Sequence, residues 1–140
     1  LRAEIRDGAL GRLQIVHMTS RGPNEAPSRD YIAHCGGIYR DKAIHFFDLL
    51  RYLTGREVDR VWCQTSRVHT TRTEDNFLAT LEMAGGGPLV AVNGSRSTAG
   101  RSGLIDAAGE HGQLVGDHLH GFAYAVAART RTPTWLPPGA

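Results

Sequence analysis

The sequence predicts an α+β fold in which helices cover one face of an open, mostly antiparallel sheet. Three observations support this prediction. One well-marked helix lies between glycines in the first half of the chain, and runs of alternating apolar and polar residues fill the second half. Short, glycine-rich connections join these runs, and strands joined by short turns pair antiparallel. The length of 140 residues and the hydrophobic content of 41% suit a single domain, which we expect to comprise residues 1–140.

The first third of the chain predicts a helix end, a strand and a long loop. We expect residues 1–7 to form the end of a helix, which Gly8 closes. Residues 12–20 alternate between two sets of side chains, and this pattern predicts a strand with both faces partly covered. Residues 21–36 contain two prolines and several turn-forming side chains, and they therefore predict a loop.

A central helix is predicted for residues 38–53, with two glycines before it and Gly55 after it. At about 100° per residue, four polar side chains of this helix fall on one narrow stripe. The opposite side is broadly apolar and would pack against the sheet. The stripe comprises Asp41, His45, Asp48 and Tyr52, and the apolar face comprises Ala43, Phe46, Phe47, Leu50 and Leu53.

Five strands and a final helix are predicted after the central helix. The first of these strands is rich in Val, Trp, Thr and Cys. Three glycines and Pro88 mark a hairpin between the next two strands. Asp117 is the expected N-cap of a helix over residues 117–129, before prolines break the pattern. The predicted strands span residues 57–68, 76–83, 89–98, 101–108 and 113–115.

Several apolar side chains are expected on the sheet face that the helices leave uncovered. Two or three helices cannot hide all of them, and open sheets of this kind often bury the second face against another subunit. We therefore expect a homo-oligomer that forms through the open face. A half-solvated sheet with scattered apolar groups is the alternative that the sequence leaves open. The side chains concerned are Val16, Met18, Trp62, Leu78, Val90 and Val92.

Charge and composition argue against several classes of protein. The net charge is +2 and the arginines are scattered, whereas surfaces that bind nucleic acid cluster their basic residues. The apolar runs fall well short of the roughly 20 residues that span a bilayer. The two cysteines, Cys35 and Cys63, form no Cys-x-x-Cys unit and fit a reducing compartment. We therefore expect a cytoplasmic protein with neither nucleic acid nor a membrane as its partner.

Asp41 and His45 form the candidate site. A carboxylate and an imidazole at this spacing lie within reach of each other on a helix surface. The carboxylate can raise the basicity of the histidine and fix its orientation, which leaves one ring nitrogen to take a proton from a substrate. The same spacing also occurs in simple surface ion pairs, and that interpretation stays open. Lys42 is expected to point about 100° away from Asp41, and Asp48 is expected to pair with a nearby arginine, so neither is assigned a catalytic role.

Two other kinds of chemistry could use the same region. A metal-dependent hydrolase or isomerase could take Asp41, His45 and Asp48 as ligands, with His34 or a later histidine as the fourth. No His-x-x-x-His or Glu-x-x-His unit accompanies them, so we assign no metal site. A nucleophile at Cys35 beside His34 would require adjacent side chains to face each other, which is uncommon. The later histidines are His111, His118 and His120.

The glycines do not form a nucleotide-binding motif. No Gly-x-Gly-x-x-Gly lies between a strand and a helix, and no phosphate-loop lysine motif is present. Residues 85–87 lie between two predicted strands and precede a proline, so they predict a turn. We therefore assign no cofactor-binding residue to this chain.

The stretch from Gly36 to Gly55, with its paired glycines and with Asp41 and His45, strongly resembles the Gfo/Idh/MocA oxidoreductases. This is the family of glucose-fructose oxidoreductase and inositol 2-dehydrogenase. Further segments resemble the same family, so the resemblance covers nearly the whole chain. These segments are Ile5-Arg6-Asp7-Gly8-Ala9-Leu10-Gly11, Glu74-Asp75, Asn93-Gly94-Ser95-Arg96 and Gly109-Glu110-His111-Gly112-Gln113-Leu114.

The resemblance implies a dehydrogenase that acts on a sugar or polyol with NAD or NADP. In that family a Rossmann domain binds the dinucleotide, and a C-terminal α+β domain supplies much of the substrate pocket and commonly an oligomer interface. By this resemblance His45 is the general base, which takes the hydroxyl proton as hydride leaves the neighbouring carbon. Asp41 would bind the substrate hydroxyl and orient His45, and Tyr39 would be a further substrate contact.

The resemblance also implies what lies outside this chain. The dinucleotide fingerprint and the catalytic lysine of the family belong to the Rossmann domain, so we expect this chain to be the C-terminal domain alone and to be inactive by itself. Many inositol-dehydrogenase-like members carry an acid where this chain has Phe46. An aromatic ring cannot replace the hydrogen bonds of a carboxylate. The resemblance therefore implies a dehydrogenase reaction but does not imply that inositol is the substrate. A family member that serves only for binding or oligomerisation is the alternative.

Overall fold

The structure, a computed structural model, describes residues 2–23, 34, 36–69, 72–129 and 132–136. A short helix precedes the first strand, and the central helix follows as a π-helical turn that continues into a regular α-helix. Seven further strands complete the described part of the chain. The elements are α1 (Arg2–Arg6), β1 (Leu13–Arg21), the π turn (Tyr39–Ala43), α2 (Ile44–Thr54), β2 (Val58–Ser66), β3 (Asn76–Met83), β4 (Leu89–Ser95), β5 (Ser102–Gly109), β6 (Gly112–Asp117), β7 (Phe122–Ala127) and β8 (Pro133–Trp135).

The strands form one sheet of eight in the order β2-β3-β4-β1-β5-β6-β7-β8. The N-terminal strand β1 lies in the middle, where it runs parallel to β4 and antiparallel to β5. The other neighbouring strands pair antiparallel. The predicted α+β class with a mostly antiparallel sheet is therefore confirmed.

The α2 helix covers one face of this sheet with Phe46, Leu50 and Leu53, which are buried. Gly55 closes the helix in the left-handed conformation, with φ at 66°, as the sequence predicts. Residues of the central strands meet the helix at alternate positions and complete the core. These strand residues include Val16, Met18, Phe77, Ala79, Leu81, Val90, Val92, Ile105 and Ala107.

The expected distribution of apolar side chains between the two faces is partly wrong. Trp62 and Leu78 do lie on the open face, where they are 54% and 53% exposed. The other four residues that we assigned to that face are buried in the core under the helix. The register explains the difference, because it aligns Val16 with Val90 on the helix-covered face. The residues buried there are Val16, Met18, Val90 and Val92.

The predicted helix over residues 117–129 is wrong, because β6 ends at Asp117 and β7 occupies Phe122–Ala127. The carboxylate of Asp117 accepts the backbone N–H groups of Leu119 and His120 at 2.9 and 3.1 Å, as a helix N-cap would. The chain nevertheless turns back at Gly121, which has φ at 70°. The cap signal therefore marks a strand-to-strand turn.

Cys63 is exposed, although cysteine inside a strand is often a small buried hydrophobe, because β2 is an edge strand that the helix does not cover. Burial of part of the thiol still raises the pKa of Cys63, and the charge of Glu74 adds to the rise.

None of the helices in the described ranges has the length and apolar character that crossing a bilayer requires.

Candidate active site

The central helix starts at a pair of glycines with left-handed backbone conformations. The φ angles of Gly36 and Gly37 are 80° and 90°, which L-residues with a side chain rarely adopt. At Gly37 a second constraint applies, since the carboxylate of Glu74 occupies the space that a Cβ would need. Both positions therefore favour glycine because of the backbone turn, and Gly37 needs it also because Glu74 approaches closely.

Glu74 caps the start of the helix from another part of the chain. Its Oε1 accepts the backbone N–H of Tyr39 at 3.0 Å, and its backbone carbonyl accepts the N–H of Ile38 at 3.2 Å. The first N–H groups of a helix lack partners within the helix, and a carboxylate there is also favoured by the helix dipole. Ile38, which precedes the π turn, has no side-chain acceptor of its own, so Glu74 performs this role.

A buried ion pair fixes the segment that carries Glu74. Asp75 is fully buried, and its Oδ1 lies 3.1 Å from Nε of Arg96, whose side chain is 10% exposed. Its Oδ2 accepts the backbone N–H groups of Val68 and His69, both at 2.8 Å. A buried carboxylate is tolerated only when it is paired and hydrogen-bonded in this way. The β2–β3 connection is thereby anchored to the residue that follows β4.

Arg96 reaches Glu74 as well as Asp75. Its Nη2 donates to the backbone carbonyl of Glu74 at 2.9 Å and to Oγ1 of Thr73 at 2.9 Å. The guanidinium presents several donors in a rigid plane, so one side chain can hold three neighbouring residues. Sequence analysis missed this network. Its only signal was that Glu74-Asp75 and Arg96 both fall in segments that resemble the same family.

Asp41 lies in the π turn, where its side chain is 24% exposed. Its Oδ2 is 3.3 Å from Nζ of Lys42. The expectation that Lys42 points away from Asp41 is therefore wrong for the ammonium group, because the long lysine side chain folds back onto the carboxylate. Asp41 thus has a cation beside it while it remains accessible to a small molecule.

His45 lies in the first turn of α2 and is exposed. The polar side of the helix points away from the core, as predicted. Asp48 and Tyr52 are exposed on this helix, whereas Phe46 and Leu50 are buried. The wide turn separates Asp41 from His45, so a constant angle of about 100° per residue does not describe their relative position. The catalytic roles of Asp41 and His45 stay predictions.

Tyr39 faces the sheet at the start of the π turn. Its ring packs edge-on against Phe77 and Phe47, with centroid distances of 5.1 and 6.1 Å. Burial raises the pKa of the Tyr39 hydroxyl, and the charge of Cys63 adds to the rise. The ring therefore contributes to packing, and its expected contact with substrate stays a prediction.

The residues weighed for other chemistries are dispersed. In the described part of the chain, no group of three or more His, Cys, Asp and Glu side chains could hold a metal ion. The Nδ1–H of His118 donates to the carbonyl of Gly103 at 2.7 Å, and Nδ1 of His120 lies 2.9 Å from Oδ2 of Asp117. Cys35, the alternative candidate nucleophile, lies outside the described residues. Arg51, an expected partner of Asp48, makes a two-bond pair with Glu57.

Comparisons with known proteins agree with this fold. A family profile described as "GFO/IDH/MocA C-terminal domain" matches residues 1–115. The inositol 2-dehydrogenase of Rhizobium meliloti is 31% identical over 132 residues, which are 91% of this chain and 40% of that protein. A myo-inositol dehydrogenase structure from Corynebacterium glutamicum is 30% identical with a TM-score of 0.73, and the match covers 83% of this chain and 36% of that one.

A third comparison extends the structural likeness over almost the whole chain. An inositol dehydrogenase homolog from Azotobacter vinelandii, solved with NADH and myo-inositol, matches 99% of this chain and 38% of its own. The TM-score is 0.84 at 23% identity, which shows a shared fold. The chain spans about two fifths of the length of the relatives it matches. The profile match and the similarity to the Rhizobium enzyme together show that the chain belongs to the Gfo/Idh/MocA family of oxidoreductases, in which it corresponds to the C-terminal domain.

Proposed function

We propose that this chain is the substrate domain of an NAD(P)-dependent dehydrogenase that oxidises a hydroxyl group of a sugar or polyol. The observation that carries the proposal is the placement of Asp41 and His45 at the start of one helix, whose other side is buried in the core. π turns inside helices are frequent at functional sites. The names of the similar dehydrogenases support the substrate class.

In this proposal His45 is the general base. One ring nitrogen takes the proton of the substrate hydroxyl while the hydrogen on the same carbon departs as hydride. Asp41 binds the substrate next to this hydroxyl group and holds the imidazole in a productive orientation. The Nζ of Lys42 lies 3.3 Å from Oδ2 of Asp41 and forms an ion pair with it. A bound nicotinamide supplies the hydride acceptor.

The dinucleotide does not fit the glycine pair of this chain. Glycine-rich turns at helix N-termini bind phosphate when their N–H groups are open to the ligand. Here the carboxylate of Glu74 fills the space beside Gly37 and accepts the N–H of Tyr39, so a pyrophosphate would meet a negative charge. We therefore propose that a separate Rossmann domain holds NAD or NADP and that these 140 residues alone are inactive.

The test is turnover of the full-length protein with a panel of sugars and polyols and either nicotinamide cofactor. We expect His45→Ala to lower turnover by about 10²- to 10⁴-fold, because that is the usual contribution of a general base, while cofactor binding is retained. Asp48→Ala is the matched control, since Asp48 is exposed on the same helix and has no role in the proposal. Near-normal turnover of His45→Ala would contradict the assignment.

The same experiment separates the two alternatives. A metal-dependent hydrolase or isomerase would lose activity in Asp48→Ala as well, and it would respond to a chelator. A domain that serves only for binding or oligomerisation would show no reduction of either cofactor with any substrate. The proposed dehydrogenase predicts activity that is lost in His45→Ala, kept in Asp48→Ala and unchanged by a chelator. Neither alternative predicts this combination.

We also propose that the full-length protein is a homo-oligomer assembled through the open sheet face. Several large apolar side chains are exposed on that face and border a groove of about 700 Å³. Contiguous apolar surface of this kind is typical of protein–protein contacts. The residues that border the groove are Ile15, Trp62 and Leu89, and Leu78 is exposed on the same face outside the groove.

A further inference from the structure

The start of the central helix depends on a carboxylate that comes from a distant segment. Glu74 is 35 residues away from Tyr39 in the sequence, yet its Oε1 accepts the Tyr39 N–H at 3.0 Å. Its backbone carbonyl accepts the preceding N–H, from Ile38, at 3.2 Å. Two successive N–H groups at the beginning of the helix are therefore held by one residue of the β2–β3 connection.

The sheet holds Glu74 itself in place. The neighbouring residue Asp75 donates its N–H to the carbonyl of Ser66 at 2.9 Å and accepts the N–H of Arg96 at 3.0 Å. The Arg96 side chain adds a bond to the Glu74 carbonyl at 2.9 Å. The segment that carries Glu74 is thus hydrogen-bonded to the last residue of β2 and to the residue after β4. These bonds place the Glu74 carboxylate beside the start of the helix.

The bond at Tyr39 acts on the part of the helix that carries Asp41. Asp41 belongs to the same π turn, only two residues beyond Tyr39, whereas His45 lies in the regular helix packed on the sheet. A shift in the start of the π turn would therefore move Asp41 while core packing by Phe46 holds the segment of His45 in place. The bond to Glu74, together with the packing of the Tyr39 ring against Phe77 and Phe47, therefore acts on the position of Asp41 relative to His45.

We infer that Glu74 is a positioning residue, which holds the π turn so that Asp41 and His45 act on the same substrate hydroxyl. The inference rests on the proposed function and goes beyond it, because it assigns Glu74 a role that acts through the π turn. A displacement of about 1 Å in a catalytic group can cost 10²-fold in rate. The expected effect is accordingly on turnover more than on substrate affinity.

The first measurement is a double-mutant cycle on kcat/KM in the full-length protein. We expect Glu74→Ala to lower kcat by roughly 10- to 100-fold, with a smaller change in KM. In an Asp41→Ala background the same substitution should cost less than about threefold, because Glu74 acts through Asp41 and residues that act as a unit are not additive. Glu74→Gln keeps an oxygen acceptor for the Tyr39 N–H and should recover most of the activity.

The second measurement is independent of activity. Hydrogen exchange of the peptide over residues 37–44 in the full-length protein should become faster in Glu74→Ala, because the Tyr39 N–H loses its acceptor. Glu110→Ala is the matched control. It removes another carboxylate that accepts a backbone N–H, that of Arg12 at 3.3 Å, and it lies in the β5–β6 turn. Exchange over residues 37–44 and turnover should both stay at the wild-type values in this control.

The outcomes separate the two proposals. Faster exchange over residues 37–44 together with a non-additive loss of kcat supports the role of Glu74. Unchanged exchange, or a loss of kcat that adds fully to that of Asp41→Ala, overturns it. A wild-type protein with no dehydrogenase activity overturns the proposed function, and exchange then decides by itself whether Glu74 holds the π turn.

Discussion

Gly37 illustrates how a single residue combines a local and a long-range requirement. The sequence places two glycines before the helix, which is enough to predict a turn there. The structure adds that Gly37 has φ at 90° and that the carboxylate of Glu74 fills its side-chain space. The position therefore needs glycine for a steric reason that no local pattern reveals.

A pair of glycine substitutions separates these two requirements. Gly8 also has a positive φ, at 74°, but a Cβ there would meet nothing within 4 Å. We expect Gly8→Ala to destabilise the folded protein by about 1–2 kcal/mol through backbone strain alone. Gly37→Ala should cost about 2–5 kcal/mol, because overpacking of about 1–3 kcal/mol adds to that strain. Urea unfolding of the two variants measures the difference, and equal costs would contradict the steric role of Glu74.

At the scale of elements, the same polar signal produces two different structures. The carboxylate of Glu74 accepts the N–H of Tyr39 at the start of the central helix, and the carboxylate of Asp117 accepts the N–H groups of Leu119 and His120. The chain beyond Tyr39 forms a helix, because its apolar residues recur with helical spacing and pack on the sheet. The chain beyond Asp117 forms β7, because residues 122–127 alternate between two faces and pair with β6. The spacing of apolar residues and the pairing with a neighbouring strand decide whether a helix or a strand forms. The capping carboxylate only marks where a turn or helix begins.

Asp117 predicts a pH dependence of stability. Burial by itself raises the pKa of Asp117, but hydrogen bonds from the His120 side chain and from the N–H groups of His120, Gly103 and Leu119 outweigh it, so the pKa is lowered. A carboxyl group with a lowered pKa stabilises the folded state above its unfolded-state pKa of about 3.9, and this contribution is lost as the pH falls through the folded-state value.

The corresponding variant is Asp117→Ala, which we expect to lower the free energy of unfolding at pH 7 by about 1–3 kcal/mol. The difference from wild type should shrink as the pH falls below about 4. Asp106→Ala is the control, since Asp106 accepts a single side-chain bond from Gln113 at 2.8 Å. Denaturant midpoints at several pH values measure the effect, and a difference that stays constant down to pH 2 would refute it.

At the scale of the whole molecule, the position of β1 defines the two faces of the sheet. This strand is the first in the chain, yet it lies between β4 and β5 and brings Val16 and Met18 under the helix. The opposite face has no helix over it in the described ranges, and it exposes Trp62 and Leu78. The sheet therefore has one face that forms the core under the helix and a second face that exposes large apolar side chains.

Leu78→Glu tests the proposed association. A buried charge at a subunit contact is strongly unfavourable, so we expect the full-length protein to dissociate to smaller species in sedimentation or light scattering. Val68→Glu is the matched control, because Val68 is similarly exposed, at 59%, but lies in the β2–β3 connection outside the strands. An unchanged mass in Leu78→Glu would argue against assembly through this part of the face.

The sequence alone determined the elements whose signals are local. Periodicity and turn chemistry within short segments account for the central helix with its closing Gly55, the hairpin at residues 85–88, most strands and the exposed helix side that carries His45, Asp48 and Tyr52. The α+β class followed from their order. The tertiary structure decided the rest: the insertion of β1, the face on which Val16 and Val90 lie, the strand after Asp117, and the network from Arg96 through Glu74 to Tyr39. These features depend on pairing and hydrogen bonds between segments far apart in the chain, whose energies no local pattern contains.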